Sequence, residues 1–195
     1  KTAALQKRTP RFESWRPRPM AIYYLLAAET VLLFLTVAFL VFEIYAFVIS
    51  PRRGSVFAPT REARAETALA LAGLRPGELM LDLGSGDGAM LIAAARRGIR
   101  SRGVEINPFL VWYSRWRIRR LGFGGLATVV RGDFFAHPLQ DADVVFLYLV
   151  PKTMQKLSER LRQGVRPGAR IIANRFPLPG WTPSAEQDQI FLYRQ

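Results

Sequence analysis

The residues with the clearest chemical potential lie between Leu81 and Gly88, reading Leu-Asp-Leu-Gly-Ser-Gly-Asp-Gly. Gly84, Gly86 and Gly88 stand at alternate positions, where they free the backbone to bend sharply and to lie bare against a ligand. Asp82, Ser85 and Asp87 place two carboxylates and a hydroxyl among them. The apolar run Leu79–Leu83 enters this stretch and the helix-forming run Ala89–Arg97 leaves it. A strand, a tight turn and a helix N-terminus in that order make a cradle for a nucleotide-like ligand. Two further carboxylates, Glu105 and Asp133, fall at the ends of the next two predicted strands.

Two ligand chemistries compete for this cradle. Gly84-x-Gly86-x-x-Ala89 fits a dinucleotide fingerprint, and Glu105 could then bind the ribose of NAD. Asp82 and Asp87 argue the other way, because they put negative charge where a pyrophosphate would bring more. S-adenosylmethionine carries a sulfonium and an ammonium and no phosphate, so the same carboxylates attract it. Glu105 would accept hydrogen bonds from its ribose hydroxyls. Asp133, in Arg131-Gly132-Asp133-Phe134, would take the adenine amino group while Phe134 packs the adenine face.

The elements that must position these residues alternate along the chain. Thr60 reads as the N-cap of a helix that runs through the alanine-rich stretch to Gly73. Strands are predicted at Leu79–Leu83, Ser101–Glu105, Ala127–Arg131, Val144–Leu149, Ala169–Asn174 and Gln189–Tyr193. Helices are predicted at Ala89–Arg97, Pro108–Leu121 and Lys152–Gln163. Short apolar strands separated by helices predict an α/β, Rossmann-like sheet with helices on both faces.

A different kind of segment precedes this domain. From Ala21 to Ile49 nearly every residue is apolar, long enough to cross a bilayer with some tilt. Tyr23, Tyr24 and Tyr45 fall near its ends, where amphipathic rings favour the interface. Glu29 and Glu43 interrupt the run, and each must sit near an interface, carry a proton or face a partner helix. The expected organisation is a basic segment over 1–20, a transmembrane helix over 21–49, a linker over 50–58 and a catalytic domain over 59–195. Residue 1 is not methionine, and Met20 is an alternative native start.

Composition narrows the chemistry. The 195 residues include no cysteine and one histidine, which excludes disulfides, thiolate zinc sites, cysteine nucleophiles and any histidine metal cluster. No metal is expected, and His137 beside Pro138 reads as an exposed loop residue. The net charge of +13 points to an anionic surface, with Lys1, Lys7, Arg8, Arg11, Arg16 and Arg18 massed before the apolar run. In the helix Pro108–Leu121, Trp112, Tyr113 and Trp116 alternate with Arg115, Arg117, Arg119 and Arg120. That mixture suits nucleic acid or phospholipid headgroups. The favoured arrangement packs the aromatics inward near the cofactor and leaves the later arginines close to a membrane surface.

Asp82–Gly88 with Glu105 and Asp133 resembles the class I, seven-stranded S-adenosylmethionine-dependent methyltransferases. A closer resemblance lies in Gly103-Val-Glu-Ile-Asn-Pro-Phe-Leu-Val-Trp-Tyr-Ser-Arg115 and Asn174-Arg-Phe-Pro-Leu-Pro-Gly-Trp-Thr-Pro183. Both are similar to signatures of a membrane-tethered protein-lysine methyltransferase family, whose eukaryotic members modify the c subunit of ATP synthase and the adenine nucleotide translocase in mitochondria. The resemblance spans about Phe57 to Tyr193 and adds Asn107 to the implied cofactor contacts. There are departures. Ala89 stands where the family often has arginine, and only one strand is predicted after Trp181, so the seventh strand is missing from the count.

The implied reaction is N-methylation of lysine in a membrane protein. Leu147-Tyr148-Leu149-Val150-Pro151 lacks the Asn/Asp-Pro-Pro-Tyr motif that holds planar amino groups, which argues against adenine or glutamine as acceptor. Tyr148 is the one candidate catalytic residue, orienting the amine or else packing at the strand end, while Arg175, Phe176 and Trp181 are candidates to line the substrate channel or else to pack the loop. The alternatives are methylation of a membrane lipid amine and a non-catalytic tethered module that binds the cofactor or RNA. The expected partners are a lipid bilayer and a membrane-protein substrate rather than nucleic acid. Arginine-rich composition favours a bacterial inner membrane with the domain in the cytoplasm, the alternative being the mitochondrial inner membrane.

Overall fold

The computed structural model describes residues 19–44, Thr60 and 62–195. The basic segment before Pro19, Tyr45, the 50–58 linker and Pro59 lie outside the described residues. The helix α1 (Pro19–Ile44) belongs to one compact unit and the remaining elements to another.

The α1 stretch Met20–Phe42 is 23 residues long and strongly apolar, enough by length and composition to cross a bilayer. Its two threonine hydroxyls are satisfied inside the helix: Thr30 donates to the Leu26 carbonyl at 2.8 Å and Thr36 to that of Leu32 at 2.9 Å. Such bonds remove the cost of carrying a bare hydroxyl into hydrocarbon. The Glu29 side chain is exposed on α1.

Among the described residues the second unit runs from α2 (Glu62–Ala72) and then alternates β1 (Leu79–Leu83), α3 (Ala89–Arg96), β2 (Arg100–Glu105), α4 (Pro108–Arg120) and β3 (Ala127–Arg131). It continues with β4 (Val144–Leu147), α5 (Pro151–Gly164), β5 (Arg170–Asn174), β6 (Ala185–Gln187) and β7 (Ile190–Arg194). These strands form one sheet in the order β3-β2-β1-β4-β5-β7-β6, with β1 to β5 parallel and β6 and β7 antiparallel. Crossover helices force the parallel core, and the closing hairpin reverses direction through Asp188 and Gln189, both at positive φ.

The sheet therefore has its seventh strand, contrary to the count from sequence. β6 is three residues long and its Glu186 and Gln187 are exposed, so it carries none of the apolar alternation that marks a buried strand. β4 stops at Leu147, two residues short of the expected end, which leaves Tyr148–Val150 as a loop leading into α5.

Because side chains alternate across a strand, the sheet builds two cores. On one face Met80, Phe146 and Ile172 pack under α2, α3 and α4 with Leu69, Leu91 and Ile118. On the other, Leu83, Leu147 and Ile171 pack with Leu157 and Leu161 of α5 and with Tyr193. Tyr193 is fully buried, and its hydroxyl accepts the Leu178 backbone N–H at 2.9 Å, fixing the loop after β5 to β7. Burial and that contact act oppositely on the phenol, and burial prevails, raising its pKa.

Tyr193→Phe should keep the fold and lose about 1–3 kcal/mol, the cost of leaving the buried Leu178 amide unpaired. Chemical denaturation of the two proteins checks this, and equal midpoints with equal slopes would contradict it.

Candidate functional site

The ends of β1 and β2 build one constellation. Gly84, Gly86 and Gly88 have φ of 86°, 53° and 77°, the left-handed region where a Cβ is strained. At Gly88 a Cβ would in addition stand 3.0 Å from the Ser114 Cβ of α4, so glycine is what lets α4 close on the loop. The loop amides of Gly84 and Ser85 both donate to the Val104 carbonyl, at 2.9 and 3.1 Å. Ser85 lies flat on β2, where a Cβ on Gly103 would collide with its hydroxyl.

Glu105 holds this loop from the neighbouring strand. Its Oε2 accepts the Gly86 N–H at 2.9 Å and its Oε1 the Asn107 N–H at 2.8 Å. Each carboxylate oxygen retains lone-pair capacity for a ligand hydroxyl. Asn107 in turn caps α4, its Oδ1 accepting from Phe109 N at 2.9 Å and Leu110 N at 3.3 Å, with Pro108 in the first turn.

Asp82 is 3% exposed near the end of β1. Burial, with Glu105 and Asp87 nearby, pushes its carboxyl up to about 8. Burial likewise raises Glu105, against the lowering effect of its backbone hydrogen bonds. The site thus holds buried carboxyl groups that a cation placed beside them would ionise. Asp87 is differently placed. Its Oδ1 accepts the Ala89 N–H at 3.2 Å, and its carboxylate pairs with Arg117 of α4 at 2.5 Å. The carboxylate therefore occupies the start of α3, where a pyrophosphate would have to sit, and this disfavours the dinucleotide reading.

These features fit S-adenosylmethionine: bare glycine backbone, and acidic groups in want of a cation. Asp133 is exposed after β3, and its Oδ1 accepts the Phe135 N–H at 2.8 Å. Phe134 is only 2% exposed and packs in the α5-side core, its ring 4.8 Å from that of the half-buried Phe135. Of the two rings, Phe135 is the more accessible.

Tyr148 is half-buried just beyond β4 and packs against the α2-side core. Phe176 and Trp181 pack against the opposite core. The Trp181 indole donates to Ser158 Oγ at 3.0 Å, meets Tyr193 edge-on at 6.0 Å, and lies under the Arg162 guanidinium at 4.9 Å. Those contacts are those of a loop anchor. Arg175 is exposed at φ 74°, with its guanidinium 5.8 Å from the Phe176 ring. His137, expected in solvent, is half-buried, and burial with Arg102 and Arg160 lowers its pKa.

Two site residues had no signal in the sequence. Arg117 holds Asp87 from 30 residues away, hidden in a run of arginines that reads as a solvated face. Arg64 of α2 donates through Nε and Nη2 to Asn174 Oδ1, at 3.1 and 2.9 Å. Asn174 is 1% exposed and its Nδ2 is buried with no partner among the described residues, one residue beyond the paired Leu147 and Ala173. It is a fixed donor at the C-terminal end of β5.

Residues 82–185 match the family described as the ANTKMT methyltransferase domain. The lysine N-methyltransferase of the ATP synthase c subunit from Mus musculus is 40% identical over 127 residues, covering 65% of this chain and 51% of that protein. A protein-lysine N-methyltransferase of Saccharolobus islandicus is 31% identical over 129 residues, covering 65% of this chain and 80% of that protein. The chain spans about half the length of the mammalian relatives it matches. Among solved structures, an RNA methyltransferase from Salinibacter ruber in complex with S-adenosyl-L-homocysteine aligns with TM-score 0.66 at 34% identity, over 70% of this chain and 92% of that one. The architecture is that of the class I S-adenosylmethionine-dependent methyltransferases, and S-adenosylmethionine is the cofactor of the class.

The raised carboxyl of Asp82 has a measurable signature. The ligand-free fold keeps a proton that the unfolded chain releases near its ordinary pKa of 3.8. Its stabilising effect is complete below that value and is lost as pH rises towards about 8. Denaturation midpoints of the ligand-free protein should therefore fall between about pH 4 and pH 8, and Asp82→Asn should flatten the slope. An unchanged slope would refute the assignment.

Proposed function

The chain belongs to the ANTKMT methyltransferase family, and we propose that it uses S-adenosylmethionine to methylate the side-chain amine of lysine in a membrane protein. The observation that carries the cofactor part is the buried pair Asp82 and Glu105 at the mouth of a bare glycine turn. Lysine as acceptor is supported by the relatives, which are named for lysine in the c subunit of ATP synthase, in adenine nucleotide translocase and in protein generally.

When bound, S-adenosylmethionine supplies a methyl carbon on a sulfonium, open to in-line displacement by a neutral amine. The chain's own residues must bind, aim and exclude. In this reading Asp82 and Asp87 face the cationic part, Gly84, Ser85, Gly86 and Gly88 present backbone, and Glu105 and Asn107 bind the ribose side. Asp133 with Phe134 and the adjoining Phe135 takes the adenine. Tyr148 orients the amine on the α2 side of the sheet, and Arg175 and Phe176 border the approach. A free lysine has a pKa of about 10.4, so the approach must also strip water from the amine to favour its neutral form.

The chain is read as an anchor over 21–49, flanked by a basic segment over 1–20 and a linker over 50–58, with the methyltransferase domain over 59–195. An anchor confines enzyme and target to the same surface and raises their effective concentration. The domain belongs on the side that holds the soluble cofactor, which in a bacterium is the cytoplasmic face of the inner membrane.

Purified chain with methyl-labelled S-adenosylmethionine and membrane extract should label protein at lysine, as mass spectrometry reads it. Label in lipid or RNA would refute the acceptor. Glu105→Ala should weaken cofactor binding about tenfold or more, since it removes a charged acceptor from two backbone amides. Normal affinity in that variant would refute the site.

A further inference from the structure

The aromatic residues of α4 do not pack inward as its sequence suggested. Phe109, Trp112 and Trp116 are 50%, 60% and 43% exposed, and Leu121 beyond the helix is 46% exposed. Only Val111, Ser114 and Ile118 face the core. The rings are ordered against one another: Phe109 stacks on Tyr113 at 6.3 Å, Tyr113 on Trp116 at 5.9 Å, and Arg120 lies over Trp116 at 5.2 Å. A contiguous aromatic ladder is costly to leave uncovered in water, which marks it as a contact surface.

Beside the ladder runs a groove of about 370 Å³ lined by Trp112, Arg115, Trp116, Arg119 and Arg131. Arg115 is committed to its wall, donating from Nε and Nη2 to the Val129 carbonyl at 2.9 and 2.7 Å. Arg119 and Arg131 are exposed and have no ion-pair partner among the described residues. Unpaired guanidinium groups next to exposed indoles match a layer with phosphate outside and hydrocarbon beneath, because indole prefers the interface and arginine binds phosphate through a fork.

We infer that this face of α4 docks onto an anionic phospholipid surface, with Trp112 and Trp116 entering the headgroup layer and Arg119 and Arg131 binding lipid phosphates. The bilayer-length apolar helix in the same chain favours lipid over RNA as the occupant, since RNA would satisfy the arginines and leave Leu121, 46% exposed beyond the helix, in water. Asn107, which is bonded to Glu105, starts α4, so docking would set the mouth of the glycine turn near the lipid. The inference rests on the proposal that the enzyme works at a membrane, and it names the second contact with that membrane.

The chain has no cysteine, so single substitutions give unique labelling sites. The full chain is placed in lipid nanodiscs with a polarity-sensitive fluorophore at Leu121→Cys, or at Lys156→Cys on α5 across the sheet. In discs rich in phosphatidylglycerol the Leu121→Cys probe should brighten and shift to the blue, and the Lys156→Cys probe should not. Arg119→Glu with Arg131→Glu should reverse the change by about fivefold per arginine, and high salt should do the same. Affinity for S-adenosylhomocysteine should stay unchanged in that variant, which separates this inference from the cofactor assignment. An equal response in neutral phosphatidylcholine discs, no response at all, or a response to single-stranded RNA without lipid would overturn it.

Discussion

The site depends on one carboxylate reaching two backbone amides. Glu105 ends β2, yet its oxygens hold Gly86 in the turn after β1 and Asn107 at the start of α4. A glycine turn left to itself has a large conformational entropy, and three glycines make it greater. Tying its middle amide to the adjacent strand selects one shape before any ligand arrives. Because Asn107 then caps α4, the same carboxylate also sets where that helix begins. Arg117 returns from α4 to Asp87, so the turn is held from both of its sides.

This order has an electrostatic cost. Asp82, Asp87 and Glu105 share a small volume, and burial makes two of them weak acids. Proteins tolerate such groups where function uses the resulting field. Here the field favours a cation in contact with bare backbone. The seven-stranded sheet supports it with two separate cores, which keep the strand ends in register while the loops beyond them diverge.

Much of this was legible in the residues. The apolar strands β1 to β5 and the helices between them announce themselves by length and periodicity, and the glycine turn by its composition. β6 did not, because an edge strand of Ala185, Glu186 and Gln187 has no buried face to write into its sequence. The rings of α4 misled because an aromatic residue reads as core by default, and only the helix phase set by Val111, Ser114 and Ile118 shows which side faces water. Trp181 was open to two readings, a channel wall or a loop anchor, and its indole is engaged by Ser158, Arg162 and Tyr193, contacts no local pattern announces. Arg64 and Arg117 act across long sequence separations, and no local pattern records such a pair.

The Arg64 contact also bears on how the protein is made. Arg64 lies on α2, but its partners are Asn174 and the carbonyl of Asp188, 110 and 124 residues later. A chain leaving the ribosome exposes α2, the glycine turn and the acidic residues long before those partners exist. The parallel strands and the turn can form early, but the α2 face closes only when the last hairpin has emerged. Contacts of such separation close slowly. A growing chain therefore passes through a period in which the apolar side of α2 and the Phe146 face lack their final cover, a state that invites misassociation. Chaperone demand should thus be concentrated in the interval before the β6–β7 hairpin emerges.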